Sequence, residues 1–453
     1  MFRFYVALWA SKLMLAFYTL IKQPKTDLPG LLASKICPDF LSYIHKPALT
    51  ITVTGTNGKT TTSTLINDFL RLAGLTTSFN EWGANMQAGY SVNLLRGVNL
   101  FNKPKVDCSI LEADELTLDE NMPKIKPDYI LVTNICKDSL RRNGHPENIY
   151  NHIEHTLRIL GDKTTAVLNA NDPISSELGK GNRRIYFGMA DARTNPFVNL
   201  GKDIAICPRC GGKITYDYRH YRHIGKFRCE NCDFKTPHPD YMAEFTDLND
   251  RTMTISGHEY PLISDTIFNA FNVLAAVAIL RELGYRENEI SSFLSTQKVT
   301  DIRETCVEYN GIEYYTFAAK SQNVSAASTV FEYMAKEPSD KDVVLLMDEV
   351  QDKNHPTETL SWLYETDYEF LNDPKIKRVI VGGHMYLNHK LRLLLAGVPE
   401  DRIVAVEEEA DIPLYVDQYG ITKVYVLYET DCVTKALNMR DSIVSYVKEG
   451  GRK

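Results

Sequence analysis

The chain has 453 residues, 44% of them hydrophobic and 24% charged, which is enough for two or three domains with ordinary buried cores. Its net charge of -7 gives no electrostatic reason to expect nucleic acid as a partner. Nine cysteines include two CxxC pairs, and the other five (Cys37, Cys108, Cys136, Cys306, Cys432) are scattered among apolar residues, a usage that excludes a disulfide framework and fits the cytoplasm.

Residues 2 to 21 are rich in apolar and aromatic side chains, but Arg3 and Lys12 interrupt the run. A spanning helix wants about 20 nearly uncharged residues, and no small-residue cleavage site follows before Pro24. The stretch is therefore expected to be a helix that packs on the protein or lies at a membrane surface, ahead of a spanning segment or a signal peptide. An interfacial helix suits an enzyme whose substrate is a lipid, working at the inner face of the membrane. Thr26 to Pro47 follows as a connecting arm with its own short helix.

From Ala48 onward strand-like and helix-like stretches alternate, the pattern of an α/β fold with a parallel sheet covered by helices. Expected strands are Leu49 to Val53, Cys108 to Glu112, Tyr129 to Val132, Ala166 to Leu168 and Arg184 to Phe187. The first runs into I-T-V-T-G-T-N-G-K-T-T-T (Ile51 to Thr62), a β-branched strand that breaks on Gly55 and Gly58 and enters a helix at Lys59 and Thr60. Glycines let backbone N–H groups approach a phosphate, the helix start favours an anion, Lys59 adds a cation and Thr60 a hydroxyl for Mg²⁺. Val53 stands where the longer G-x-x-x-x-G-K-[ST] pattern has its first glycine, so this is a shorter loop. Lys59 is expected to serve the ligand and not the core.

Ligands in such sheets sit at the carboxyl ends of strands. Three polar signatures fall there: Glu112 in I-L-E-A-D-E, Asn134 and Asp138 in V-T-N-I-C-K-D, and N-A-N-D-P at Asn169 to Pro173. Alone, each reads as a solvated loop; in register with a phosphate loop they read as a nucleotide and metal site.

Cys207, Cys210, Cys229 and Cys232 form two CxxC knuckles, the spacing that places four thiolates around Zn²⁺ with no open position, hence a structural zinc in an insertion at about residues 203–238. The basic residues between them (Arg219, His220, Arg222, His223, Lys226, Arg228) are expected on a solvated or substrate-facing surface, with neither histidine a ligand. Thr266 to Leu283 reads as an amphipathic helix. Asn269 and Asn272 share one of its faces near the start, where an amide can read adenine or simply cap the helix. Near Thr300 a second unit begins with a hairpin turning at Asn310-Gly311, followed by expected strands Val343 to Met347, Arg378 to Val381, Ile403 to Val406 and Lys423 to Leu427.

These motifs together resemble the Mur ligase superfamily, and within it the MurT branch of ligase-like subunits. The resemblance covers nearly the whole chain: the apolar N-terminal helix ending in L-P-G, G-T-N-G-K-T-T-T, E-W-G-A-N-M, I-L-E-A-D-E, V-T-N-x-x-x-D, L-N-A-N-D-P, the four-cysteine insertion, F-N-A-F-N-V-L-A-A and Arg303-Glu304. It implies an arm (1–47), a central ATP-binding domain (48–300) with a zinc-ribbon insertion, and a smaller Rossmann-like C-terminal domain (301–453). It also implies an ATP-dependent carboxylate-amine ligase of peptidoglycan and cell-wall biogenesis, which phosphorylates the D-glutamate carboxylate of lipid II and takes ammonia from a separate glutaminase subunit in a heterodimer. Carried over by position, Gly55, Thr56, Asn57, Gly58, Lys59, Thr60 and Thr61 cradle the phosphates, and Thr60 and Glu112 hold Mg²⁺. Asn269 contacts adenine, Arg303 reaches the phosphates and Lys320 lies on the substrate side.

The chain departs from that pattern after Lys320, which is followed by S-Q-N-V-S, and between Met347 and Ser361, where D-G-x-D is missing and Asp348 and Asp352 are the nearby aspartates that could complete a partner's Cys-His-Asp arrangement. No lysine stands near Thr156, where many relatives carry a carbamylated one, and Ser139 replaces a His or Gln. Two alternatives stay open: a ligase adding an amino acid to another substrate, and a non-catalytic nucleotide-binding scaffold.

Overall fold

The computed structural model describes residues 1–21, 27–80, 84–137, 145–190, 204–297, 304–319, 323–347, 360–417, 419–429 and 432–450. The chain forms two compact units, one of Met1–Cys136, His145–Val198 and Lys202–Val299, the other of Thr300–Lys453 with Lys137–Gly144 and Asn199–Gly201.

Three helices open the first unit: α1 (Phe2–Leu20), α2 (Leu28–Ile36) and α3 (Phe40–Tyr43). Helix α1 buries Phe4, Ala7, Leu8 and Ser11, the spacing of a single helical face, and Phe4 stacks on Phe40 with ring centroids 5.3 Å apart. The L-P-G glycine has a packing reason. A Cβ on Gly30 would stand 2.0 Å from the carbonyl oxygen of Ala88, so only glycine lets α2 approach so closely. Among the described residues no helix is long and apolar enough to cross a membrane.

The unit continues through β1 (Leu49–Thr54), α4 (Lys59–Leu72), β2 (Thr77–Phe79), α5 (Gln87–Gly97), β3 (Cys108–Glu112), α6 (Leu118–Ile125), β4 (Tyr129–Val132), α7 (Pro146–Leu160), β5 (Thr165–Asn169) and β6 (Arg184–Met189). A separate hairpin follows, β7 (Ile214–Tyr221) and β8 (Ile224–Cys229), and then β9 (Tyr241–Asp247), β10 (Thr252–Ile255), β11 (His258–Pro261), α8 (Ile267–Glu282) and α9 (Glu287–Thr296). Nine strands form one sheet in the order β11-β10-β9-β6-β5-β4-β1-β3-β2, parallel except where β10 and β11 join. Strand β1 lies between β3 and β4, and the chain leaves β1 toward one edge of the sheet and β4 toward the other. This reversal makes the carboxyl ends of β1 and β4 the topological switch point, where open α/β sheets bind ligands.

Helix α8 differs from its expected amphipathic character. Every residue from Ala270 to Leu280 is buried. The helix is apolar nearly all round because it lies inside the core, packed with Ile66, Phe69 and Leu70 of α4 and with Tyr221 and Ile224 of the hairpin, and no side of its middle meets water.

The second unit holds β12 (Glu304–Tyr309), β13 (Ile312–Ala318), α10 (Val324–Lys336), β14 (Lys341–Leu346), α11 (Ser361–Glu365), β15 (Ile376–Val381), α12 (Tyr386–Leu395), β16 (Ile403–Ala405), β17 (Lys423–Tyr428) and α13 (Val433–Lys448). Its six-stranded sheet runs β12-β13-β17-β14-β15-β16, with only the β12–β13 pair antiparallel. Asn310 and Gly311 both have positive φ (52° and 74°), as a two-residue hairpin turn requires.

Candidate nucleotide site and four-cysteine cluster

The loop between β1 and α4 turns on Gly55 (φ 119°) and Gly58 (φ 85°). Helix α4 starts at Lys59, so the N–H groups of its first turn, with no earlier helical carbonyl to meet, face the loop as an anion site. Neighbouring strand ends hold the loop in shape. Thr56 N–H donates to the Asn134 carbonyl at 2.8 Å, and Asn57 N–H to Asn134 Oδ1 at 3.2 Å. Asn134 Nδ2 donates to the Asn57 carbonyl at 3.0 Å, and Thr133 Oγ1 to the same oxygen at 2.6 Å. The V-T-N signature after β4 therefore clamps the peptide of Asn57, and Cys136 N–H donates to Thr56 Oγ1 at 3.0 Å.

Glu112 ends β3 opposite Val53 and is 3% exposed. Asn80, which sequence reasoning missed, fixes its backbone by accepting the Glu112 N–H and donating to its carbonyl, both at 2.8 Å. Glu115 was also missed, although it is the last letter of I-L-E-A-D-E. Its Oε1 lies 2.6 Å from Lys59 Nζ, with side-chain exposures of 1% and 14%. Burial pushes the Glu115 carboxyl up, against the pull of the Lys59 cation. Lys59 Nζ also donates to the Gly55 carbonyl at 2.7 Å. Lys59 is thus tied into the unit through a buried carboxylate, which corrects its expected role as a ligand-only side chain.

On the other side of the loop stands Asn272. A Cβ on Gly58 would come within 2.0 Å of Asn272 Oδ1, so loop and helix touch there. Asn272 Nδ2 donates to Asn269 Oδ1 at 3.1 Å, and Asn269 Nδ2 to Ser264 Oγ at 2.8 Å. Asn269 reaches the loop through Asn272 and not directly. Thr60 is exposed and Thr61 half-buried in the first turn of α4. Thr156 is buried and donates its hydroxyl to the His152 carbonyl at 2.8 Å, satisfied within its own helix. Arg303, Lys320, Asp348 and Asp352 lie outside the described residues, as do Asp138 and Ser139.

The second cluster is made of sulfur. The four atoms Cys207 Sγ, Cys210 Sγ, Cys229 Sγ and Cys232 Sγ all lie within 4.8 Å of one another, with 3.8 Å between those of Cys207 and Cys232 and 3.5 Å between those of Cys210 and Cys229. Four bonds of about 2.3 Å to a central Zn²⁺ imply sulfur–sulfur edges of about 3.8 Å, so the donor set and its spacing suit that ion. Gly212 N–H and Asn231 N–H donate to Cys210 Sγ and Cys229 Sγ at 3.4 and 3.3 Å, bonds that favour thiolates. The basic stretch between the knuckles is not a solvated face at its centre. His220, Arg222 and His223 are 0, 3 and 1% exposed, because the tip of the β7–β8 hairpin is inserted into the first unit instead of projecting from it.

Residues 53–208 match the Mur ligase middle domain, and residues 321–429 match the MurT ligase C-terminal family. Over 389 residues the chain is 32% identical to the lipid II isoglutaminyl synthase (glutamine-hydrolyzing) subunit MurT of Staphylococcus aureus (strain COL), spanning 84% of this chain and 85% of that protein. It belongs to the MurT family of Mur ligases. The MurT subunit of Streptococcus pneumoniae (strain ATCC BAA-255 / R6) is 27% identical over 89% of both chains. Among solved structures, a pseudomurein peptide ligase type C from Methanothermus fervidus superimposes with a TM-score of 0.65 at 20% identity, covering 90% of this chain and 81% of that one. MurF ligase from Thermotoga maritima in complex with ADP gives 0.58 at 15% identity, covering 91% and 84%. At these identities the superpositions establish a Mur-ligase-like fold. In this MurT-family chain, Asn80 stands just before E-W-G-A-N-M and Glu115 lies inside I-L-E-A-D-E, but nothing in the sequence says which group each faces.

Proposed function

We propose that the chain is the ATP- and Mg²⁺-dependent ligase subunit that amidates the D-glutamate of lipid II, with ammonia from a separate glutaminase subunit. One observation carries the nucleotide half: a glycine loop, a helix start, Lys59 and the buried carboxylate of Glu112 converge at the switch point of the sheet. The names of the S. aureus and S. pneumoniae relatives support the substrate and the glutamine dependence. We assign the domains as 1–47, 48–300 and 301–453, the last Rossmann-like.

ATP phosphates lie against the loop from Gly55 to Thr61, with Lys59 neutralising charge on the transferring group and Asn269 and Asn272 on the adenine side. The oxygen donors Glu112 and Thr60 suit a hard cation, and Mg²⁺ held by them would offset the negative charge of the phosphates during transfer. Attack of the carboxylate oxygen on the γ-phosphorus forms an acyl phosphate and releases ADP. Ammonia then attacks the acyl carbon, phosphate leaves and the amide remains. Arg303 and Lys320 are assigned to the phosphates and the substrate, and Asp348 or Asp352 to the partner's triad. Cys207, Cys210, Cys229 and Cys232 hold a structural Zn²⁺ in a ribbon.

We also assign the exposed face of α1 to the anionic leaflet that carries the substrate. Phe2, Trp9, Leu13, Phe17 and Leu20 are 84, 52, 74, 57 and 81% exposed, beside exposed Leu100 and Phe101. Arg3 is exposed at the start of the helix, and Lys103 and Lys105 are exposed near Phe101, whereas Lys12 Nζ donates to the Leu95 and Val98 carbonyls. An apolar helix face without an acidic residue of its own, with Arg3 exposed at its start, suits an anionic bilayer surface.

The test is reconstitution with lipid II, ATP and a glutaminase subunit, using glutamine or ammonium as nitrogen source. Lipid-II-dependent phosphate release together with carboxamide formation is expected. Addition of an amino acid instead, or no ATP turnover under any condition, would overturn the assignment.

A further inference from the structure

The β7–β8 hairpin turns at Arg222 (φ 42°) and His223, between the paired residues Tyr221 and Ile224. Its cysteine-bearing end and its tip are opposite ends of one ribbon. A hairpin tip with adjacent cationic side chains normally faces water. Here the whole turn is buried, and it lies between two of the supports of the phosphate loop.

The first support is the N-A-N-D-P segment. Gly225 N–H donates to the Asn171 carbonyl at 2.9 Å, and Asn171 Nδ2 donates back to the Gly225 carbonyl at 3.3 Å. His223 Nε2 stands 3.5 Å from Asp172 Oδ1, an electrostatic contact and not a hydrogen bond, both side chains being at most 1% exposed, and Oδ1 itself accepts the Ile174 N–H at 2.9 Å. The other oxygen of that carboxylate, Asp172 Oδ2, accepts the Ile135 N–H at 2.7 Å. Ile135 sits between Asn134 and Cys136, whose backbone and side-chain groups hold Thr56 and Asn57. The second support is α8. The Tyr221 ring lies 4.3 Å from that of Phe268 and 5.7 Å from that of Phe271, and these phenylalanines flank Asn269 and Asn272 in sequence.

We propose that the hairpin tip is a positioning element of the nucleotide site, with His223 holding Asp172 and, through Ile135, the strand end that shapes the loop at Thr56 and Asn57. The inference rests on the nucleotide reading of that loop. A buried polar chain of this kind fixes geometry only while each member keeps its partner, since an abandoned buried group must find another or open the structure. His223 touches neither phosphate nor adenine in this scheme. Its effect is on how well the loop is formed before nucleotide arrives.

The experiment compares His223→Leu and His223→Gln in the full chain by calorimetric titration with Mg·ADP, alongside metal content and unfolding midpoint. Arg228→Ala, on an exposed part of the same hairpin, is the control. Loss of one buried polar neighbour predicts about tenfold weaker ADP binding for His223→Leu, with His223→Gln within about threefold of the parent because its amide keeps a polar group beside Asp172. Zinc content should be unchanged in both, and Arg228→Ala should bind as the parent does. Parental affinity in His223→Leu, or equal losses for Leu and Gln, would overturn the proposal. Should His223→Leu fail to fold, hydrogen exchange on the parent decides. Saturating ADP should slow exchange at residues 220–225 and 133–137 together, and an unchanged rate at 220–225 would refute the link. If the parent itself binds no ADP, the nucleotide reading fails first and separately.

Discussion

Replacing Lys59 by Ala removes the cation of the phosphate loop and also leaves Glu115 without its ionic partner. At 2.6 Å and an effective dielectric constant of about 20, the Coulomb attraction of the pair is about 6 kcal/mol, much of it offset by desolvation of both groups. Breaking such a pair from one side costs about 3–5 kcal/mol, because the remaining charge stays buried. The cost depends on pH. Burial already raises the Glu115 carboxyl in the folded protein, and without Lys59 it rises further. A carboxyl whose folded value exceeds its unfolded one favours the native state below the unfolded value, near 4.5, and that contribution is lost as pH rises toward the folded value. Lys59→Ala should therefore be close to the parent near pH 5 and most destabilised near pH 8, where 3–5 kcal/mol corresponds to a fall of about 6–10 °C in the midpoint of a unit this size. Lys59→Ala/Glu115→Gln should recover most of that loss, since a neutral amide is far cheaper to bury than a carboxylate. ATP turnover should be absent from both variants. Scanning calorimetry at the two pH values, read on the transition of the first unit, checks the argument. A Lys59→Ala protein as stable as the parent at pH 8, or a double variant no better than the single one, would show that the Lys59–Glu115 contact carries no energetic weight.

Cys229→Ser should lose the zinc that four thiolates would hold and lower the midpoint of the first unit, checked by metal analysis and calorimetry; protein purified without chelator that contains no zinc would refute the site. Trp9→Ser combined with Leu13→Asp should weaken flotation with phosphatidylglycerol vesicles by about 100-fold, from roughly 3 kcal/mol of lost apolar insertion. Unchanged flotation would refute the membrane assignment, as would a parent that self-associates through α1 without binding vesicles. If Asp348 or Asp352 orients the histidine of a glutaminase partner, its change to Asn should cut glutamine-dependent amidation by roughly 10⁴ while sparing the ammonium-dependent reaction. Full glutamine-dependent activity in both variants would remove that role from the segment.

The parts of this site that could be read from sequence are those whose chemistry and geometry are local. A β-branched run, two glycines, a lysine and a threonine lie within a dozen residues, and each strand that flanks them ends on its own polar signature. The four cysteines are equally legible, because knuckle spacing alone limits how their sulfurs can meet. Asn80, Glu115 and His223 were not legible for a common reason. Each is a polar residue whose burial is set by a partner elsewhere in the chain: Glu115 by Lys59, Asn80 by Glu112, and the hairpin tip by Asn171 and Asp172. Hydrophobic periodicity identifies what is buried by its apolarity, so a buried ionic or amide network appears in it as surface. The burial of His220, Arg222 and His223 also explains why so apolar a helix as α8 meets no water in its middle: the hairpin covers the face that an isolated sheet-and-helix layer would expose. Covering α8 and bracing the loop at Thr56 are then two effects of one insertion, and a change at the tip should be felt first in nucleotide affinity, because the apolar contacts of Tyr221 remain when the polar link through His223 is cut.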